Sequence, residues 1–445
     1  MATTWWAPYA LVPEGLGRDV LITEEGGYFT AITPGTNPED STAKGACLLD
    51  GVVLPGLANC HSHAFHRALR GRTHADGGTF WTWREGMYRV AARLDPDSYH
   101  RLARAVFAEM ALAGVTSVGE FHYVHHAPGG ARYDEPNAMG EALRVAAQDA
   151  GLRLTLLDTL YLSGGLTEAG HSDLAPEQLR FGDGSAHDWG ERVSAMSEDA
   201  TTRIGTAVHS VRAVPLADLV TAREIAEQRG GVVHAHVSEQ PAENAATQAY
   251  YGRTPVELLD DAGLVTERLS AVHATHLTAR DISLLGSAGA TTCLCPTTER
   301  DLADGIGPAR ALADAGAAIS LGSDQHALID LIEEARALEM HERLVTGERG
   351  RFDPGQLLTA ATSHESLQWD DVGHLEVGQR ADLVEIDRCS PRTAGSDPAQ
   401  ILLSASAADV RTVLRDGEVV VADGAHRLGD IGALLAEAIE PLWED

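Results

Sequence analysis

Two histidines one residue apart, His61 and His63, close the run Leu57-Ala58-Asn59-Cys60-His61-Ser62-His63, where a β-rich segment ends. In an extended chain residues i and i+2 face the same way, so both imidazoles can reach one ion. A zinc-type ion takes about four ligands, and hydrolytic sites keep one position for water, so further ligands are expected on other segment ends. His236, in Val233-His234-Ala235-His236-Val237-Ser238-Glu239, and Asp324, in Gly322-Ser323-Asp324-Gln325-His326, stand at such ends, and His273 closes another. A lone histidine is more often structural than ligating, and a His-x-His pair alone is a weak motif. The weight comes from agreement in position across several segments. The chemistry implied is metal-assisted hydrolysis. Such an ion lowers the pKa of bound water from about 15.7 to about 7, with Asp324 and His273 able to orient that water or take its proton.

Those segment ends belong to a repeating pattern. From about residue 52 to 325, short β-rich runs alternate with longer runs of helical apolar spacing, which predicts βα units and a parallel sheet. The candidate strands are 52–57, 116–121, 154–161, 204–209, 231–236, 269–273, 290–294 and 317–322. They predict a closed, TIM-like (β/α)8 barrel with its chemistry at the carboxyl ends of the strands. Residues 1–51 read as short strands with turns, and 373–424 do likewise around Gly-Gln and Asp-Gly turns. The two chain ends are therefore expected to pair into one small β-sandwich domain, 1–51 plus 370–445, beside a barrel of 52–369. The apolar face of residues 428–443 predicts a C-terminal packing helix.

Composition narrows the partners. A net charge of −31, from 65 acidic against 34 basic residues, leaves no basic face for phosphate and speaks against nucleic acid. The start, MATTWWAPYALVPEG, has no basic region leading into an apolar core. No uncharged apolar run of about 18 residues follows, so a cytoplasmic protein with no membrane span is expected. Five scattered cysteines fit neither a zinc ribbon nor a disulfide framework, and most are expected to be buried and reduced. Lys44 is the only lysine.

Pro55-Gly56-Leu57, the His61/His63 pair and Gly322-Ser323-Asp324 resemble the amidohydrolase superfamily along nearly the whole chain. The resemblance implies a distorted (β/α)8 barrel flanked by a β-sandwich. Within the superfamily, His61-Ser62-His63-Ala64-Phe65, Phe80-Trp81-Thr82-Trp83-Arg84-Glu85, the run Glu120 to His126 and Cys295-Pro296-Thr297-Thr298-Glu299 are similar to the formimidoylglutamate deiminases. Ala207-Val208-His209-Ser210-Val211-Arg212 and Val272-His273-Ala274-Thr275-His276 extend the match over six loops.

The implied reaction is hydrolysis of N-formimino-L-glutamate to N-formyl-L-glutamate and ammonia, in histidine degradation, by a cytoplasmic homodimer. The implied site holds one divalent ion per chain, Zn2+, on His61, His63, His236 and Asp324. Two-metal relatives bridge their ions with a carboxylated lysine on the fourth strand, but Lys44 precedes the barrel. Glu239, three residues after His236, would contact the substrate nitrogen and shuttle a proton. An ionised Glu239 could also pair with an amidinium-like group. Arg84 and Arg212 would grip the carboxylates of a small anionic substrate, with Tyr123 and His209 as hydrogen-bonding companions and Trp81 and Trp83 as walls. His122, His125, His126, His276 and His326 would be structural or support the ligands. One departure stands out: where the family places glutamine after His63-Ala64-Phe65, this chain has His66. A reference pKa of about 6.5 would let His66 gain charge toward a substrate carboxylate as pH falls from about 8 to 6. The alternatives are another mononuclear deaminase of the superfamily, acting for example on guanine, and a non-catalytic scaffold relative.

Overall fold

The computed structural model describes residues 2–40, 43–74 and 80–444, and within these the side chains of Phe80 and Trp81 are not described. The wall expected from Trp81 therefore lies outside the described residues.

Eight parallel strands form the barrel: β1 (Leu57–Ser62), β2 (Val115–His122), β3 (Arg153–Leu160), β4 (Thr202–Val208), β5 (Val233–Val237), β6 (Leu269–His273), β7 (Thr291–Leu294) and β8 (Ala318–Leu321). Each pairs with the next in sequence order. β2 and β3 are buried at every position, as expected of strands covered on both faces, and their near-continuous apolar character follows from that. The seam between β8 and β1 closes just beyond β8, through Asp324. Its amide donates to the His61 carbonyl (3.0 Å), and its carbonyl accepts from the His63 amide (3.1 Å). The residue expected to ligate a metal thus also closes the barrel.

A 9-stranded sheet built from both chain ends lies beside the barrel. Its centre differs from expectation. Val52–Pro55, taken from the sequence as part of the first barrel strand, pairs with Thr3–Val12 on one side and antiparallel with Leu383–Ile386 on the other. β1 begins only at Leu57. The two strands read as one because both are buried throughout, so no polar residue marks the change of sheet. Gly56 marks it instead: a Cβ there would stand 2.3 Å from Thr116 Oγ1, so only glycine passes.

Arg153, at the start of β3 and fully buried, joins the two parts. Its guanidinium donates to both oxygens of Asp382, just before the sheet strand Leu383–Ile386, and to Asp416, in the turn between two further strands of that sheet. Burial alone would raise the Asp382 pKa, yet Arg153 holds it down at about 2.

Cys60, Cys293 and Cys295 are buried and Cys47 and Cys389 exposed, all as free thiols. Among the described residues no helix is long and apolar enough to cross a membrane.

Candidate metal centre and active site

The barrel brings the four expected ligands together. His236 Nε2 lies 3.2 Å from His61 Nε2 and 3.3 Å from His63 Nε2, and Asp324 Oδ1 is 3.4 Å from both of those nitrogens. Atoms bound at about 2.0–2.1 Å to a tetrahedral ion stand about 3.3–3.4 Å apart, and these four separations have that spacing. The rings are fixed from behind. His63 Nδ1 donates to the Phe121 carbonyl at 2.9 Å, and His236 Nδ1 to the His209 carbonyl at 2.8 Å. That tautomer puts the unprotonated Nε2 atoms toward one another, an arrangement a cation relieves. Burial, reinforced by the neighbouring histidines, drives the pKa values of His61 and His236 well below the usual range. It does the same for His63, so all three are neutral, ligand-competent imidazoles.

Backbone conformation at the strand ends aims these groups. Ser238 (φ 53°), His273 (φ 67°), Ala274 (φ 48°) and Asp324 (φ 41°) are left-handed non-glycine residues. Each such residue costs on the order of 1–3 kcal/mol and persists only where its surroundings hold it, as strain at functional sites does. The two seam hydrogen bonds hold Asp324, and the Ala274 amide donating to the Val237 carbonyl (3.0 Å) holds the end of β6.

His273 stands among three carboxylates. Its Nε2 is 3.8 Å from Asp324 Oδ2 and 3.9 Å from Glu239 Oε1, and its Nδ1 is 3.6 Å from Glu299 Oε1. Burial alone would lower its pKa, but these carboxylates raise it to about 10. Glu239 in turn lies 3.4 Å from Arg212 Nη2. A proton-holding imidazole and a carboxylate therefore flank the ligand cluster.

All of this opens on one cavity of about 550 Å3. Every residue singled out for metal, catalysis or substrate lines it except His61, which is fully buried. His66 Nε2 is hydrogen-bonded to Tyr123 Oη at 2.9 Å, and Arg84 Nε donates to Tyr88 Oη at 2.8 Å. The His209 ring lies 4.5 Å from Tyr161 and 5.5 Å from Tyr123. Arg212 is already engaged: besides Glu239, its Nε is 3.9 Å from the buried Glu243. The protonation expected of His66 does not fit the structure. Burial pushes its pKa down to about 4, so between pH 8 and 6 the ring stays neutral.

Tyr88, Tyr161 and Glu243 line the cavity and were not singled out from sequence. Tyr161 follows directly on β3, a strand-end position like that of His209 on β4, and that was the available signal. Glu243 lies in the first turn of helix Pro241–Tyr251, and nothing in its spacing separates it from a solvated glutamate.

A second His/Asp cluster, His122, His125 and Asp158, has ligand-like spacing. Its positive charge is already supplied. Arg192 grips Asp158 through two bonds of 2.7 and 2.8 Å, and Trp189 Nε1 donates to the same carboxylate at 2.9 Å. Together with the 3.0 Å contact of His126 to Asp183, this makes a buried ion-pair network in which a guanidinium already neutralises Asp158. His326 sits between Ser62 Oγ (3.2 Å) and Ser323 Oγ (2.9 Å), tying β1 to the loop after β8 behind the ligands.

The model of the amidohydrolase family matches residues 52–420. A formimidoylglutamate deiminase from Pseudomonas aeruginosa is 36% identical over 95% of this chain and 95% of its own length. An amidohydrolase from Brucella melitensis of known crystal structure superposes with a TM-score of 0.88 at 30% identity, over 99% of this chain and 100% of that one. An adenosine deaminase from Xanthomonas campestris, crystallised with bound zinc, superposes at 0.82 and 25% identity, over 98% and 96% of the two chains.

Proposed function

The chain belongs to the amidohydrolase family, and from that premise we propose that it hydrolyses N-formimino-L-glutamate to N-formyl-L-glutamate and ammonia, with one zinc ion per chain. The observation that carries this reading is the cavity itself: the ligand cluster, Glu239 and His273 share one chamber with two arginines, Arg84 and Arg212. A planar heteroaromatic base needs no such pair of cations, whereas a substrate with two carboxylates does. The relative that is 36% identical bears the name of this activity.

A divalent ion on His61, His63, His236 and Asp324 supplies a Lewis acid that brings the pKa of water from about 15.7 to about 7. The remaining work belongs to the side chains. His273, which holds its own proton, orients the attacking water, and the ionised Asp324 accepts the first proton. The water oxygen bonds to the formimino carbon. Glu239, ionised and paired beforehand with the cationic formimino group, takes over that first water proton and passes it to the departing nitrogen. The carbon–nitrogen bond breaks with its electron pair on ammonia, while the second water proton passes to the freed Asp324 carboxylate and on to solvent, completing the formyl group. Arg212, 3.4 Å from Glu239, balances the negative charge of that carboxylate and reaches toward the acidic end of the substrate. His66, neutral and bonded to Tyr123, offers a hydrogen bond in place of the family's glutamine amide.

The test is an assay of ammonia and N-formyl-L-glutamate released from N-formimino-L-glutamate, with guanine and glutamine as controls. Equal molar release of both products supports the reading; turnover of guanine alone removes it.

A further inference from the structure

We infer that Trp443 is a positioning residue for the wall of the cavity formed by His66, Trp83 and Arg84. The inference rests on the reading that this wall contacts the substrate.

Two elements build that wall. The 3-10 turn Ala64–Leu69, which follows the ligand His63, carries His66, and the helix Phe80–Ala91 carries Trp83, Arg84, Met87 and Tyr88 into the cavity. They meet where the His66 and Trp83 rings lie 5.1 Å apart, edge to face. Trp443 holds on to both elements at once. Its indole Nε1 donates to the carbonyl of Ala68, in the turn, at 2.9 Å. Its carbonyl accepts from Arg89 Nη2, on the helix, at 2.8 Å.

The indole also meets two guanidiniums, Arg72 beyond the turn at 5.4 Å from the ring centre and Arg89 at 5.3 Å. Its Cη2 stands 3.5 Å from where a Cβ of Gly86 would be, so the helix approaches the ring through a position with no side chain. Trp443 thus spans the two elements away from the cavity, which it does not line. The short turn Glu440–Leu442 connects it to the helix Ile431–Ile439. The distance between His66 and Arg84 is therefore set by a residue far along the chain that touches neither the substrate nor a metal ligand.

A displacement of binding groups by about 1 Å can cost as much as 10²-fold in efficiency. For the zinc-loaded full chain, Trp443→Ala should raise KM for N-formimino-L-glutamate about tenfold, leave kcat within about twofold and keep the metal. Trp443→Phe keeps a ring between the guanidiniums but loses the bond to Ala68, and its KM should fall between the two. A KM for Trp443→Ala equal to that of the native protein, or a fall in kcat with loss of metal at constant KM, overturns the inference. Should Trp443→Ala fail to fold, Trp443→Phe and Arg89→Gln carry the same KM reading with the same two outcomes. A native protein with no turnover of this substrate defeats the substrate reading; normal native turnover with an unshifted variant defeats the role of Trp443 alone.

Discussion

His236 is prepared for its role by one hydrogen bond: with Nδ1 committed to the His209 carbonyl, only Nε2 is left to face the ligand cluster. His63 is prepared in the same way through Phe121. Replacing His63 or Asp324 by alanine should accordingly remove both metal and activity, seen together by elemental analysis and assay. Glu239→Gln should keep the metal and lose turnover by roughly 10²–10⁴-fold, the scale of acid–base catalysis; loss of metal in that variant would make Glu239 a ligand or its support. Arg212→Met should raise KM for the acidic substrate, since a charge-assisted contact contributes on the order of 1.5–3 kcal/mol. Because Arg212 also neighbours Glu239, kcat should fall as well, and steady-state kinetics at fixed zinc separates the two effects. At this scale the cluster of proposed ligands was legible because histidines and an aspartate recur at strand ends. Tyr88 and Glu243 were not, because each lies within a helix and gains its meaning only from what the fold places opposite it.

Between elements, the junction that matters most is the one the sequence concealed. Val52–Pro55 and β1 form a continuous buried run, so hydrophobic patterning cannot divide them, and Gly56 alone marks where the chain leaves the sheet for the barrel. The other barrel strands stood out because helical segments separate them, and their observed limits lie within a few residues of those expected. Arg153 binds the sheet to the barrel through Asp382 and Asp416, a contact between residues hundreds of positions apart that no local pattern reveals. Truncating it to methionine should destabilise the protein by about 3–5 kcal/mol, because Asp382 would remain buried and unpaired. The pH dependence follows from the same pair. Asp382 titrates at about 2 when folded, against about 3.9 unfolded, so its contribution of roughly 2–3 kcal/mol is present above pH 4 and is lost as pH falls toward 2. Denaturant unfolding of the native protein and of Asp382→Asn across that window should show a steeper loss only with aspartate. Parallel curves would remove the ion pair from the account.

Taken whole, the molecule carries its proposed reactive centre on the seam of its barrel. Asp324 closes β8 onto β1 through its backbone, and its carboxylate stands 3.4 Å from both His61 and His63, so closing the barrel also brings these groups together. The excess of acidic residues, giving a net charge of −31, makes the arginines of the cavity more telling: an anionic substrate entering this chain needs local cations, and Arg84 and Arg212 line the chamber. The neighbouring His122, His125 and Asp158 cluster carries its own guanidinium, which leaves the histidines grouped around Asp324 as the side chains spaced for an ion among the described residues. The most direct test of that centre is to strip the protein with a chelator and titrate zinc back while following ammonia release from N-formimino-L-glutamate. Activity should rise linearly from zero and level off at one equivalent per chain. Full turnover in the stripped protein, or a plateau reached only at two equivalents, would contradict the single-ion account.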